Sequence, residues 1–246
     1  METKDRILNF TQNAKLNKAI TWAAFPVVIV VLVIVIIACI TKPVKFQREQ
    51  FAREKVAIEQ LKDIRTLQEA YKSVHGEYTE SMDSLKHFYE CEDIIVKLQI
   101  GSKDDSLTYA HTQEVKKSRF WLRGQDMAKY LYECYQAGDK NLAFTIDQKY
   151  PVRDTLFNNR PDFNIDAIRY IPFSDNALVE MEAVVKQVSG VKVPLFEARM
   201  PYKKLLYGMD NQLRINLDAD RRNQNRYEGL QVGSVTAPNN NAGNWE

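Results

Sequence analysis

The chain is poor in glycine, histidine and cysteine. It contains nine glycines, three histidines and three cysteines in 246 residues, whereas glycine alone makes up about 7% of average proteins. This scarcity argues against Gly-rich phosphate loops and low-complexity linkers. The motifs G-x-S-x-G, H-E-x-x-H, G-x-x-x-x-G-K-[ST] and C-x-x-C are also absent. We therefore expect a non-enzymatic protein with no cofactor and no small-molecule ligand.

Charge is absent from one long stretch near the amino end. Residues 19–41 contain no Asp, Glu, Lys or Arg, and Lys18 and Lys42 flank them. A helix of this length spans roughly 35 Å, enough for a hydrocarbon core of about 30 Å. The stretch is apolar on every face, and it exceeds the apolar region of about 7–15 residues in a cleaved signal peptide. It predicts a transmembrane helix over 19–41 that contacts the lipid bilayer.

Cys39 has two interpretations. Ala38-Cys39 resembles the end of a lipobox, in which Cys39 would be lipidated, although Ile37 is bulky where such boxes prefer a small residue. In the other interpretation Cys39 is a small apolar residue within the helix. The sequence leaves both open.

Orientation is read from the flanking charges. The tail 1–18 is short and carries four basic and two acidic residues, and basic residues also follow the span. The short tail favours an N-terminus on the cytoplasmic side. We expect an inner-membrane protein with its N-terminus inside and its C-terminal domain in the periplasm.

The remaining chain has no charge excess. Removing the four basic and two acidic residues of the tail from totals of 34 and 32 leaves thirty of each. A neutral domain lacks the basic field that nucleic-acid binding requires. We therefore expect no nucleic-acid partner.

Helical spacing continues beyond the span. Apolar or aromatic residues between Phe51 and Val74 recur every three or four positions after the first gap, which is one helical face. Pro43 is the expected joint with the span, and Gly76 the expected stop. The pattern predicts an α+β fold in which a transmembrane helix continues into a helical stalk packed on a mainly antiparallel sheet domain. The expected segments are a cytoplasmic tail 1–18, a span 19–41, a stalk 42–76, an exported domain 77–236 and a flexible tail 237–246.

Short elements follow in the domain. Thr79 or Ser81 is expected to cap a short helix, and a second helix is predicted over 125–135. Alternation and β-branched content predict strands at 94–100, 107–111, 142–146, 152–157, 165–171, 178–188, 191–197 and 213–217. Pro194 predicts that strand 191–197 lies at a sheet edge. Trp245 is a candidate to dock the tail.

Two resemblances accompany these patterns. The span, the helix ending Leu67-Gln68-Glu69-Ala70-Tyr71, and Gly76-Glu77-Tyr78 before Ser81-Met82-Asp83-Ser84-Leu85 resemble the N-terminal half of type IV pilins and type II secretion pseudopilins. That resemblance implies a long helix packed on a sheet, in subunits that build an envelope filament. The span has no Glu and no Gly-Phe-type cleavage site before it, unlike prepilins. The segments 227–233 and 239–246 resemble a family of single-pass envelope proteins of Gram-negative bacteria, which implies location but no activity.

Few residues are candidates for sites. Cys91 and Cys134 would lie in an oxidising compartment and are candidates for a disulfide. Partner-contact candidates are the strand 191–197 and the stalk residues Phe51, Ile58, Leu61 and Ile64, whose face either contacts a partner or covers the domain itself. His87, Glu90 and Cys91 share a helical face, but a zinc site requires a fourth group, so we expect no metal.

These features favour a structural or assembly component of a secretion, pilus-like or transport machinery, with protein partners in the cell envelope. Two alternatives remain open at this point. One is a pilin-like filament subunit, and the other is a membrane-anchored enzyme with an unfamiliar site.

Overall fold

The computed structural model describes Lys18, Trp22 and residues 25–102, 104–188 and 190–246. The predicted tail apart from Lys18, and the first residues of the predicted span apart from Trp22, lie outside this part. Lys103 and Ser189 also lie outside it. The fold is α+β, with one long helix packed on antiparallel sheet, as the sequence predicts.

Helix α1 runs without interruption from Phe25 to His75. Its first buried residue is Phe46, and the aliphatic residues before it are exposed. The expected joint at Pro43 is wrong, because the helix continues through this residue despite the backbone donor that proline lacks. Gly76 ends the helix as predicted, with a φ of 82° and its N–H donating to the Lys72 carbonyl at 2.8 Å.

The other elements follow in chain order. The helices are α2 (Met82–Cys91), α3 (Ser106–Ser118), α4 (Gly124–Gln136), α5 (Val152–Leu156), α6 (Tyr202–Leu205) and α7 (Asn211–Asn223). The strands are β1 (Asp93–Ile100), β2 (Phe144–Pro151), β3 (Glu180–Val188), β4 (Val191–Pro201) and β5 (Gly229–Gly233). Ser81 caps α2 as expected, since its Oγ accepts from the Ser84 N–H at 3.3 Å.

The main sheet has the order β3-β4-β5, with both pairs antiparallel. Its inner face packs on α1 in the larger hydrophobic cluster, which also includes α2. Fully or almost fully buried members are Leu61, Ile64, Leu67, Leu85, Phe88, Phe196, Ala198, Met200 and Val232. The packing of one long helix on this antiparallel sheet forms the core of the domain.

A second hydrophobic cluster lies beside the hairpin of β1 and β2. This antiparallel pair runs from Asp93 opposite Pro151 to Ile100 opposite Phe144. Helices α3 and α4 cover it, burying Met127, Leu131, Leu142 and Ile146. Gly101, directly after β1, has a φ of 67°, and a Cβ at this residue would collide with the Leu142 carbonyl oxygen. We call this group of elements the hairpin unit.

Several predicted strands are helical instead. Residues 107–111 lie in α3, because the Asp105 side chain accepts from the Leu107 N–H and caps a helix there. Residues 213–217 lie in α7, which Asp210 caps in the same way. Residues 152–156 form α5, and 165–171 contain the 3₁₀ helix Ala167–Arg169. The strand predicted at 142–146 begins at Phe144.

The C-terminal segment folds back on the domain rather than extending freely. Gly243 forms a β-bridge with Val232, and the Asn244 N–H donates to the Gln231 carbonyl at 2.9 Å. Trp245 packs against the larger cluster, as predicted, and Glu246 pairs with Arg65 at 2.8 Å. The segment 237–246, predicted as a flexible tail, thus packs on the domain.

Candidate interaction surfaces

The stalk face, which the sequence predicts either to meet a partner or to cover the domain, covers the domain. Leu61 and Ile64 are 0% exposed, and Ile58 is half-buried against the same cluster. The prediction that these three residues contact a partner is therefore wrong, because the sheet and α2 already cover their side chains. Phe51 differs, since it is 66% exposed on the outer side of α1.

The predicted disulfide between Cys91 and Cys134 is wrong. Both thiols are free, with Cys91 exposed at the last turn of α2 and Cys134 half-buried on α4. Cys134 packs against the hairpin-unit cluster, whereas α2 buries its apolar face in the larger cluster. The helices that carry the two cysteines pack in different hydrophobic clusters, which the spacing of the cysteines in the sequence does not reveal.

The edge position predicted for residues 191–197 is correct for residues 191–196 and wrong for Glu197. Strand β4 is the central strand, with β3 on one side and β5 on the other. Pairing with β5 begins only at Glu197, so β3 is the single neighbour of β4 at Pro194. The proline is tolerated there because the strand is locally an edge.

Two of the histidines contact the same carboxylate. His75 Nε2 lies 2.9 Å from Glu92 Oε2, and His87 Nδ1 lies 3.5 Å from Glu92 Oε1. Among the described residues, no group of three His, Cys, Asp or Glu side chains is arranged to hold a metal ion.

A buried polar chain joins α1 to the elements after β4. Tyr202 Oη donates to Glu54 Oε1 at 2.6 Å, and Gln50 Nε2 donates to the same oxygen at 2.8 Å. Arg221 Nη2 donates to Tyr202 Oη at 2.8 Å. Burial first, and then the hydrogen bond to Glu54, raise the pKa of Tyr202, so its hydroxyl stays protonated as a donor. No pattern in the sequence signals these hydrogen bonds, since 148 positions separate Glu54 from Tyr202.

Further polar contacts fix α1 to the domain at successive levels. Arg53 Nη1 donates to the carbonyls of Leu205 and Tyr207 at 3.2 and 2.9 Å. Beyond it along the helix, Gln60 contacts Ile168 and Tyr170, Asp63 contacts Arg160, Arg65 contacts Glu246, and Gln68 contacts Thr79. Burial raises the pKa of the Asp63 carboxyl, and the hydrogen bond from Arg160 opposes that shift. The segments near 202–207 thus lie closest to the apolar part of α1.

An open groove of about 620 Å³ lies between α6 and α7. Its walls include Lys203, Arg214, Asp218, Arg222 and Glu228. Arg222 pairs with Glu228 at 2.6 Å, and Arg214 pairs with Asp218. These pairs neutralise two of the four basic residues in the lining and leave Lys203 and Arg226 without an ion pair among the described contacts. The lining includes no Ser, Cys or His to act as a nucleophile or base. Of the neighbouring arginines, Arg222 pairs with Glu228 and Arg221 donates to Tyr202.

Asp218 is the one described acid with a fully buried oxygen that lacks a partner. Its Oδ1 accepts no hydrogen bond, although Oδ2 binds Arg214. Burial raises the pKa of this carboxyl, against the opposing charge of Arg214. The ionised Asp218 carboxylate therefore lowers the stability of the folded state.

An exposed aromatic pair caps the hairpin unit between α3 and α4. Phe120 is 76% exposed and Trp121 is 58% exposed, with ring centroids 5.3 Å apart. The residues that anchor this segment are Val115 and Leu122, which pack on the hairpin-unit cluster. Exposed aromatic patches of this kind mark interaction sites.

The described part of the chain includes one helix, α1, that is long and apolar enough to cross a membrane. No protein-family profile matches the chain, and comparisons with curated proteins and with solved structures find no match.

Proposed function

We propose that the protein is a non-enzymatic, single-pass membrane protein that presents its α+β domain as a structural or assembly component of an envelope machinery. The observation that carries the proposal is the continuity of α1. The same helix is exposed and apolar from Phe25 to Ile40, and it enters the core of the domain from Phe46 onward. An exposed aliphatic surface of this size is favourable in lipid and costly in water.

The uninterrupted helix would hold the domain at a defined distance from the bilayer. Thr41 to Phe46 is about 8 Å along the helix axis, and Thr41 to His75 is about 50 Å. Contacts from Arg53 to Gln68 lock the helix to the domain in rotation and register. Such a protein works by presenting a surface to a protein partner at a fixed distance from the bilayer.

The proposed location is the inner membrane, with the N-terminus in the cytoplasm and the domain in the periplasm. The support is the short basic tail before the span, which favours retention on the cytoplasmic side. The free state of Cys91 and Cys134 fits a domain that needs no disulfide, since its core is built from two hydrophobic clusters.

A second candidate is a pilin-like filament subunit. It is favoured by the packing of α1 on the antiparallel β3-β4-β5 sheet, which is the arrangement that the sequence resemblance implies. Co-expression with a prepilin peptidase separates the two candidates. An intact N-terminus by mass spectrometry rejects the filament subunit, and cleavage ahead of the span supports it.

The proposal is tested by a C-terminal reporter fusion combined with crosslinking in native membranes. We expect periplasmic reporter activity and a crosslinked adduct to a second protein. Reporter activity in the cytoplasm would contradict the orientation, and recovery of the monomer alone would contradict the assembly role.

A further inference from the structure

Three basic side chains follow the proposed span directly. Lys42, Lys45 and Arg48 lie one, four and seven residues after Thr41, the last residue of the uncharged stretch. Helix α1 continues through all of them, so their Cα atoms lie about 1.5, 6 and 10.5 Å beyond Thr41 along the helix axis. Because all four residues belong to one continuous helix, these distances follow from helix geometry alone. We call Lys42, Lys45 and Arg48 the basic collar.

The charges of the basic collar are not neutralised by the protein. All three side chains are exposed, and none of them forms an ion pair or a side-chain hydrogen bond among the described residues. Glu49 follows the collar directly, but it pairs with Arg53 at 3.0 Å. Residues 42–53 thus carry four basic side chains and one acidic side chain, which is already paired.

The domain covers a different face of α1 at this level. Phe46 is 8% exposed and belongs to the larger hydrophobic cluster. The next member of that cluster on α1 is Ala57, about 16 Å along the helix, so Phe46 reaches the cluster through residues of the domain. At about 100° per residue, Arg48 lies about 160° around the helix from Phe46, and Lys45 lies about 100° from it. The domain therefore leaves the side of α1 that carries Lys45 and Arg48 free.

The basic collar lies at the depth of phospholipid headgroups. The polar layer on each side of a hydrocarbon core of about 30 Å is roughly 5–7.5 Å thick. Side chains on a helix tilt toward its N-terminus, which for α1 is the direction of the span. The Cα atoms of Lys42 and Lys45 are within this layer, and the Arg48 side chain extends back toward it. Long basic side chains in such positions place their charged groups among the headgroups.

Anionic lipid is the occupant that this position favours. Lys and Arg near a bilayer surface attract anionic lipids, and the three unpaired charges of the basic collar act together because they lie within about one Debye length of one another. An acidic protein partner would have to enter the headgroup layer to reach Lys42 and Lys45, where the negative surface potential of an anionic leaflet repels it.

We propose that the basic collar binds the headgroups of anionic phospholipids in the leaflet on the domain side of α1. The inference rests on the proposed function, because it requires α1 to be anchored in a bilayer. It adds a lipid class to that function: the domain, which touches α1 at Phe46, sits beside lipids enriched in negative charge.

The test captures the lipids that surround the basic collar. A benzophenone amino acid replaces Gln47, an exposed residue between Lys45 and Arg48, and the full chain is placed in nanodiscs of equimolar phosphatidylcholine and phosphatidylglycerol. After illumination, mass spectrometry gives the ratio of phosphatidylglycerol to phosphatidylcholine adducts. We expect a ratio of at least about three, which falls toward one in about 0.5 M salt because salt screens the attraction.

The variant Lys42→Gln/Lys45→Gln/Arg48→Gln should bring the ratio close to one at low salt, because it removes the unpaired charges. The matched control is Lys55→Gln/Lys62→Gln, which alters two exposed lysines on the same helix. Their Cα atoms lie about 21 and 32 Å beyond Thr41, farther than a Debye length of about 8–10 Å from the headgroup layer. The control should keep the ratio within about 1.5-fold of that of the unsubstituted collar.

Different outcomes separate the collar from the anchor. Co-elution of the chain with the nanodiscs tests the proposed anchoring, and a chain that fails to co-elute contradicts the proposed function together with this inference. Co-elution with a ratio near one, or with a ratio that the collar variant leaves unchanged, overturns the inference alone. A protein adduct at position 47 in native membranes, in place of a lipid adduct, would identify the collar as a protein-binding site and would also overturn it.

Discussion

Tyr202 donates a hydrogen bond of 2.6 Å to Glu54, joining the residue after β4 to the first buried turns of α1. Both side chains are buried, and Glu54 receives a second hydrogen bond from Gln50. This contact lies where the apolar part of α1 gives way to the domain. It is the polar link that couples the proposed anchor to the folded body.

Tyr202→Phe should lower the free energy of unfolding by about 1–3 kcal/mol, because it leaves a buried carboxylate oxygen with fewer donors. Chemical unfolding of the full chain in detergent measures the change. Tyr207→Phe is the control, since Tyr207 is exposed and no hydrogen bond from its hydroxyl is present among the described contacts. Equal effects of the two variants would show that the buried contact contributes nothing.

Leu61→Ala should destabilise the domain by about 2–5 kcal/mol, because it opens a cavity between α1 and the sheet. Phe51→Ala removes a larger side chain from the exposed side of the same helix and should change stability by less than about 0.5 kcal/mol. Thermal unfolding of both variants checks the prediction. A larger loss for Phe51→Ala would place the packed face on the wrong side of α1.

Asp218→Asn should stabilise the protein at neutral pH. Because burial raises the folded-state pKa of Asp218, the folded protein holds that proton more tightly than the unfolded chain does. The carboxyl therefore opposes folding above its folded pKa, and the penalty disappears as pH falls toward the usual value of 3.8. The advantage of Asn over Asp should grow as pH rises from that value to neutrality.

Unfolding midpoints across this pH range test the prediction, with Asp220→Asn on the exposed side of α7 as the control. A constant difference between Asp218→Asn and the wild type at all pH values would contradict the assignment of the effect to Asp218.

Gly101→Ala should destabilise the protein more than Gly76→Ala. Both glycines have positive φ, which costs a residue with a Cβ about 1–2 kcal/mol. Only at Gly101 would the added Cβ also collide with a backbone carbonyl, that of Leu142, whereas open space surrounds Gly76. Equal losses of unfolding free energy would show that the close approach at Gly101 relaxes without cost.

The fold class was predictable because its strongest signals are local. The uncharged stretch, the apolar face of Leu61, Ile64 and Leu67, the stop at Gly76 and the cap at Ser81 each act within a few residues. The errors at 107–111 and 213–217 have a common cause. In both segments an aspartate two or three residues upstream caps a helix, and this signal outweighs the β-like alternation of the residues that follow.

The interaction surfaces were harder to predict from the sequence than the fold class. The stalk candidates Leu61 and Ile64 are indistinguishable in sequence from a partner-facing stripe, and only the sheet that covers them decides between the two. The Glu54–Tyr202 contact depends on tertiary packing across most of the chain. The exposure of Phe120 and Trp121 depends on Val115 and Leu122 taking the buried positions beside them.

The most direct test of the central claim is the accessibility of cysteines in membranes washed with alkaline carbonate. The chain carries Val31→Cys in the middle of the proposed span and Cys39→Ser, with the exposed Cys91 as the internal reference. We predict that the chain remains in the membrane pellet, that a hydrophilic maleimide labels Cys91 in opened membranes, and that position 31 reacts only after detergent is added. Release of the chain into the supernatant, or labelling of position 31 as fast as Cys91 without detergent, would contradict the account.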